Sequence, residues 1–144
     1  MFKKIVVGAD DSPTAAAAVD TALDLAALCG AELHIVTAYK AEKAKPPPAG
    51  LPDEFPYSLS AHPADQLLEG LARKARAVNL DPVVHPATGE PADTLTSIAA
   101  REGADLIVVG NKGMKGVRRV LGSVPNDVAH RASCSVLIVD TTSD

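Results

Sequence analysis

Aromatic side chains are scarce: two Phe, two Tyr and no Trp in 144 residues. Readers of single-stranded nucleic acid and carbohydrate binders that stack ligands on rings are poorly served by such a composition. Positive charge is in deficit, with 14 Lys and Arg against 18 Asp and Glu, a net charge of −4 and a pI near 5.5. Broad electrostatic contact with nucleic acid is therefore not expected. Cysteine is nearly missing. Cys29 and Cys134 form neither a metal-ligand spacing nor a disulfide framework, and read as buried, reduced thiols of a cytoplasmic protein. No run reaches the roughly 18 consecutive apolar residues of a membrane span. The start, "MFKKIVVGADDS", resembles a signal peptide only briefly, because Asp10 and Asp11 follow a short apolar run; it reads as a first strand. What remains is an apolar content of 47 %, mostly Ala and Val. It fits a single domain over residues 1–144. A chain of this size buries roughly 68–70 % of its unfolded surface.

Apolar periodicity divides the chain into alternating elements. Ile5 to Val7, closed by Gly8, reads as a buried strand. Ser12-Pro13 reads as a helix cap and first residue. Val19, Leu23, Ala26 and Ala27 recur at helical spacing up to a stop at Gly30. Leu33 to Ala38 is the second strand. Residues 40–57 carry five of the eleven prolines, and the stretch of about 40–60 is expected to be an extended, mobile surface loop. Leu67, Leu68, Leu71, Ala75 and Val78 mark a second helix. Val83 to His85, flanked by Pro82 and Pro86, reads as an edge strand, since proline cannot donate to a ladder. Gly89-Glu90-Pro91 opens a third helix stopped at Gly103. Leu106 to Val109 is a fourth strand, Ser123 to Ala132 a fourth helix and Val136 to Val139 a fifth strand. Strands alternating with helices imply a parallel sheet covered on both faces, with flavodoxin-like or Rossmann-like winding.

The densest signal is "VVGNKGMKGVRRVLGSVPN", Val108 to Asn126. It holds four of the ten glycines and four of the fourteen Lys and Arg residues, and no acid lies between Asp105 and Asp127. In open α/β sheets ligands bind beyond the carboxyl ends of strands, and a helix start supplies unpaired N–H groups suited to phosphate. Gly110, Gly113 and Gly122 would admit close backbone approach to an anion. Ser123 would cap the helix and donate its hydroxyl, and Lys112, Lys115, Arg118 and Arg119 raise the local potential. The spacing is neither a P-loop nor a dinucleotide fingerprint. The four histidines, His34, His62, His85 and His130, have no paired spacing, so neither a metal site nor a catalytic dyad is expected.

The pattern G-x2-G-x8-G-S at Gly110, Gly113 and Gly122-Ser123 resembles the nucleotide loop of the universal stress protein family, glycine-loop type. "KKIVVGADDS", "GEPADTL", "ADLIVVGNKG" and "GSVPNDVAHRASCSVLIV" resemble further landmarks of that family in the same order. One departure is the last spacer, eight residues where ATP-binding members usually have nine. The resemblance implies an open five-stranded sheet of order 3-2-1-4-5, Rossmann-like (adenine nucleotide α-hydrolase-like), with a ligand crevice between strands one and four. It implies nucleotide contacts by Ala9, Asp10, Ala38, Gly110, Asn111, Lys112, Gly113, Met114, Gly122, Ser123 and Val124. Asp10 would lie near the ribose or, through a cation, near the phosphates.

On this resemblance the expected function is a regulatory stress-response protein binding ATP with Mg²⁺, with no catalytic residue, no metal held by side chains and at most slow hydrolysis. Alternatives are binding of cyclic AMP or AMP, a slow ATPase or adenylate-transfer enzyme, and an interaction protein with an empty crevice. The fifth strand, "SVLIVDTT", is apolar over four residues and lacks the Lys, Pro or bulge that usually blunts an edge. With the family resemblance, this implies a homodimer paired through strand five.

Overall fold

The structure, a computed structural model, describes residues 1–10, 13–39, 63–111 and 124–141. The Pro-rich loop, the capping Ser12 and most of the glycine loop lie outside these residues. The elements in chain order are β1 (Lys4–Gly8), α1 (Pro13–Cys29), β2 (Glu32–Tyr39), α2 (Pro63–Arg76), β3 (Val83–Thr88), α3 (Pro91–Glu102), β4 (Leu106–Gly110), α4 (Val124–Arg131) and β5 (Ser135–Val139). The strands form one parallel sheet in the order β3-β2-β1-β4-β5, the order implied by the family resemblance.

The period-two geometry of a strand divides the core. Ile5 and Val7 of β1, with Leu33, Ile35, Leu106 and Val108, point to the face covered by α1 and α2. Val6, Val36, Ile107 and Val109 point to the face covered by α3 and α4. Both sides of the central strands are thus apolar, which is why they read as unbroken aliphatic runs. On α1 the stripe is Ala18, Val19, Ala22, Leu23 and Ala26, all buried. Its small side chains let the helix lie close to the sheet. Burying a side chain such as Ile5 or Leu33 contributes about 1.5–3 kcal/mol.

Three helices end in the same way. Gly30, Asn79 and Gly103 take φ of 66°, 65° and 69°, and the following N–H closes back onto the last turn: Ala31 to the Ala26 carbonyl, Leu80 to Ala75 and Ala104 to Ala99. A left-handed residue is the usual device for such a stop, and Asn is the main alternative to Gly. The α2 helix therefore ends before Val78, which the periodicity had included; Val78 sits in the turn and is half-exposed. At the start of α3, the Glu90 carboxylate accepts from the N–H groups of Ala92 and Asp93 at 3.2 and 3.0 Å, and Pro91 occupies the first turn.

The third strand runs further than its flanking prolines indicated. Pro86 is inside it, opposite Thr37, and pairing continues to Thr88. It remains an edge strand, where a residue without an N–H is tolerated.

Candidate functional site

Strands β1 and β4 are neighbours, yet the helices that follow them, α1 and α4, pack on opposite faces. A crevice must open where the winding reverses, and one does. A cleft of about 190 Å³ is walled by Gly8, Ala9 and Asp10 from β1 and its exit, and by Thr14 and Ala15 from the first turn of α1. Val36 and Ala38 come from β2, Pro91 and Leu95 from α3, Val109 and Gly110 from β4, and Val124 and Pro125 from the start of α4. Its volume is below the roughly 300–1,000 Å³ of whole small-molecule sites. It can take one ring system, with the rest of a ligand crossing the rim. The walls are mostly Ala, Val, Leu and Pro. Among the described lining residues, the polar side chains are the Asp10 carboxylate, exposed at the lip, and the Thr14 hydroxyl. Apolar walls with few polar groups suit the faces of a planar heterocycle better than a highly charged group.

Five of the residues singled out from the sequence meet here: Ala9, Asp10, Ala38, Gly110 and Val124. The Ala9 N–H is already engaged, donating to the Val36 carbonyl at 2.9 Å. Asn111 is placed differently. It is buried beside the cleft, and its carboxamide turns to the end of β5. The Nδ2 group donates to Asp140 Oδ1 at 2.8 Å, and Oδ1 accepts from the Thr141 N–H at 3.1 Å and its hydroxyl at 2.7 Å. Lys112, Gly113, Met114, Gly122 and Ser123 lie outside the described residues.

Gly110 has a packing reason of its own. A Cβ there would stand 2.8 Å from Thr14 Cγ2 and 3.2 Å from the Thr14 carbonyl oxygen. The missing side chain admits the first turn of α1. Apart from the five above, the lining residues, Val36, Thr14 and Leu95 among them, were missed in the sequence reading. Val36 was accessible from strand alternation, two residues before Ala38, and Leu95 from helical spacing, four after Pro91.

A second groove, about 510 Å³, runs between edge strand β3 and α3 and is lined by His85, Glu90, Asp93, Ser97 and Arg101 among others. His85, on its wall, meets a second histidine, His34, with no sequence relation to it. The β2–β3 register sets His34 opposite Val83 and His85 opposite Val36, so the rings are diagonal neighbours on one face. They stack with centroids 5.1 Å apart. His34 Nδ1 lies 2.8 Å from His85 Nε2, and His34 Nε2 lies 3.2 Å from Glu32 Oε2. The carboxylate can only accept, so His34 carries its proton on Nε2. With His34 neutral, its Nδ1 accepts from His85 Nε2–H. Burial pushes the His85 pKa down, His34 and Arg101 add to this, and Glu102 opposes it. The hydrogen bond from His34, with that from Lys4, holds Glu32 below the ordinary carboxylate range. The backbone N–H groups of Lys3 and Lys4 do the same for Asp105, at 2.8 and 3.0 Å. Among the described residues, no group of three or more His, Cys, Asp or Glu is placed to hold a metal ion.

An open parallel sheet with a cleft at its winding reversal, an acidic lip on one side and a helix start on the other, defines a Rossmann-like α/β domain with a crevice beyond its strand ends. The chain belongs to the universal stress protein family, whose profile matches residues 1–140. It is 36 % identical to the universal stress protein Rv1636 of Mycobacterium tuberculosis, over 98 % of each chain. It is 33 % identical to the universal stress protein YxiE of Bacillus subtilis, over 96 % of this chain and 99 % of that one. Among solved structures, a universal stress protein in complex with cAMP is 36 % identical, covers 98 % of both chains and superimposes with a TM-score of 0.78.

Proposed function

We propose that this protein is an adenine-nucleotide-binding regulator of the universal stress type, with the base seated in the cleft between β1 and β4. The observation that carries this reading is the cleft itself: apolar walls, the Asp10 carboxylate at one lip, and Gly110 and Val124, the two ends of the glycine-rich loop, at the other. The ribose then lies toward Asp10 and the phosphates toward the loop. Among the described residues the ionisable side chain lining the cleft is Asp10, which this reading assigns to the ribose or a cation, so the protein acts by what it binds rather than by turnover.

Cyclic AMP is the ligand best supported, because the 36 % identical protein was solved in complex with it and the eight-residue spacer departs from the ATP-binding pattern. ATP with Mg²⁺ is the second reading, favoured by the exposed Asp10 carboxylate, which suits a cation. Calorimetry with cyclic AMP, AMP, ATP with and without Mg²⁺, and GTP tests both. Cyclic AMP is expected to bind more than about tenfold tighter than ATP, a gap of about 1.4 kcal/mol. The reverse order establishes the ATP reading, and binding of none of the adenine nucleotides overturns both.

The protein also pairs with a second copy through β5. Val136 to Val139 are each only partly buried at the sheet edge, and no Lys or Pro interrupts them. A two-fold pair is the commonest way to cover such an edge. Among the described residues no helix is long and apolar enough to cross a membrane, and Cys29 and Cys134 are both free thiols, as a reducing cytoplasm would keep them.

A further inference from the structure

We propose that Asn111 is a positioning residue for the cleft, anchored by Asp140 and Thr141, and not a ligand contact; the inference rests on the nucleotide reading above. The β4–β5 ladder ends at Gly110 opposite Val139. One residue on, the Asn111 carboxamide continues the connection with side-chain bonds. Both lone pairs of its oxygen are taken, by the N–H and the hydroxyl of Thr141, and one of its two N–H groups goes to the Asp140 carboxylate. A buried carboxamide so engaged has little left to offer a ligand.

What these bonds hold is Gly110, which forms a cleft wall with no room for a side chain. A Cβ at Gly110 would already press on Thr14, another lining residue. A shift of a few tenths of an ångström at this point changes the shape of the cleft. Asp140 and Thr141 lie 29 and 30 residues further along the chain than Asn111. They do not line the cleft, yet they set one of its walls. The chemistry also explains why the residue is Asn. An Asp at this place would set one carboxylate against another at hydrogen-bond distance.

The test exploits that exchange. Asn111→Asp keeps the acceptor for Thr141 but loses the donor and faces Asp140 with like charge. Cyclic AMP affinity, measured by calorimetry at about pH 7.5, should fall about tenfold, the scale of one lost hydrogen bond. As pH is lowered, relative to wild type at each pH, it should recover, because two adjoining carboxylates share a proton. Adding Asp140→Asn restores a donor–acceptor pair with its direction reversed, and affinity at about pH 7.5 should return to near the wild-type value. A double variant as weak as the single one, or a single variant as tight as wild type, overturns the proposal; the first outcome makes Asn111 a direct ligand contact. If wild type binds no adenine nucleotide, the nucleotide reading fails separately. Amide hydrogen exchange of segments 106–111 and 135–141 then decides: faster in Asn111→Asp and restored in the double variant supports the anchoring, and unchanged exchange refutes it.

Discussion

The histidine pair makes stability depend on pH in a direction that can be worked out. Burial disfavours the charged form of His85, so its folded pKa lies below that of a free histidine. The unfolded chain therefore takes up the proton first as pH falls through about 6.5, the value of an unperturbed histidine. Stability is fully present above that point. It declines toward acid until the folded form is protonated too. The slope for one proton cannot exceed about 1.4 kcal/mol per pH unit. The first proton can enter at His85 Nδ1 and leave the chain to Glu32 intact. The assay is urea unfolding between about pH 7.5 and about pH 5.5, a window above the range in which the depressed carboxylates Glu32 and Asp105 titrate. Two variants divide the effect. His85→Gln keeps a donor for His34 and removes the titration, so its pH slope should be shallower than that of wild type. His85→Ala leaves the His34 Nδ1 acceptor unsatisfied in a ring only 2 % exposed, which should cost about 1–3 kcal/mol at about pH 7.5. Equal slopes in wild type and His85→Gln, or a wild type that gains stability on acidification, would refute the reasoning.

Gly110→Ala should destabilise by about 1–3 kcal/mol through overpacking against Thr14; chemical denaturation measures it, and adding Thr14→Ser, which removes the opposing methyl, should recover part of the loss. Glu90→Ala removes the α3 cap and one of the two carboxylates that pair with Arg131, the other being Asp93, and should lower stability by about 1 kcal/mol in the same assay. Gly113→Val should abolish nucleotide binding in calorimetry while circular dichroism stays that of wild type, since a branched side chain blocks backbone approach to phosphate. Light scattering of the wild type should give about twice the 14.8 kDa chain mass, and Val136→Lys should shift it toward the monomer by charging the edge.

The alternation of elements was legible because the inner strands are buried on both faces and so appear as pure aliphatic runs. Helix stops at Gly30 and Gly103 were legible because left-handed backbone selects glycine. Asn79 performs the same role with a side chain that has many others, so the end of α2 was misplaced. The extent of β3 was hidden because proline signals a boundary in most strands, and only the sheet order shows that an edge tolerates it. Of the residues that line the cleft, Gly110 was singled out from the glycine-rich stretch, and Ala9, Asp10, Ala38 and Val124 through the family resemblance, as small apolar lining residues leave no local mark. The His34–His85 contact depends on interstrand register, which no local pattern encodes. The role of Asn111 depends on a partner thirty residues away, beyond the reach of motif spacing.

The two margins of the sheet differ in kind. At β3 the backbone lacks a donor at Pro86, and the neighbouring Val83 and Val84 are already 39 % exposed. At β5 the apolar run from Val136 to Val139 carries no such interruption. A molecule with two receptive margins could add copies without end and grow into a fibre. In the dimer proposed above, a β5-to-β5 contact would consume the unblunted sheet margin of each partner, and growth would terminate at two. The proline that obscured the limits of a strand in the sequence would thus act, in that assembly, as a chain terminator.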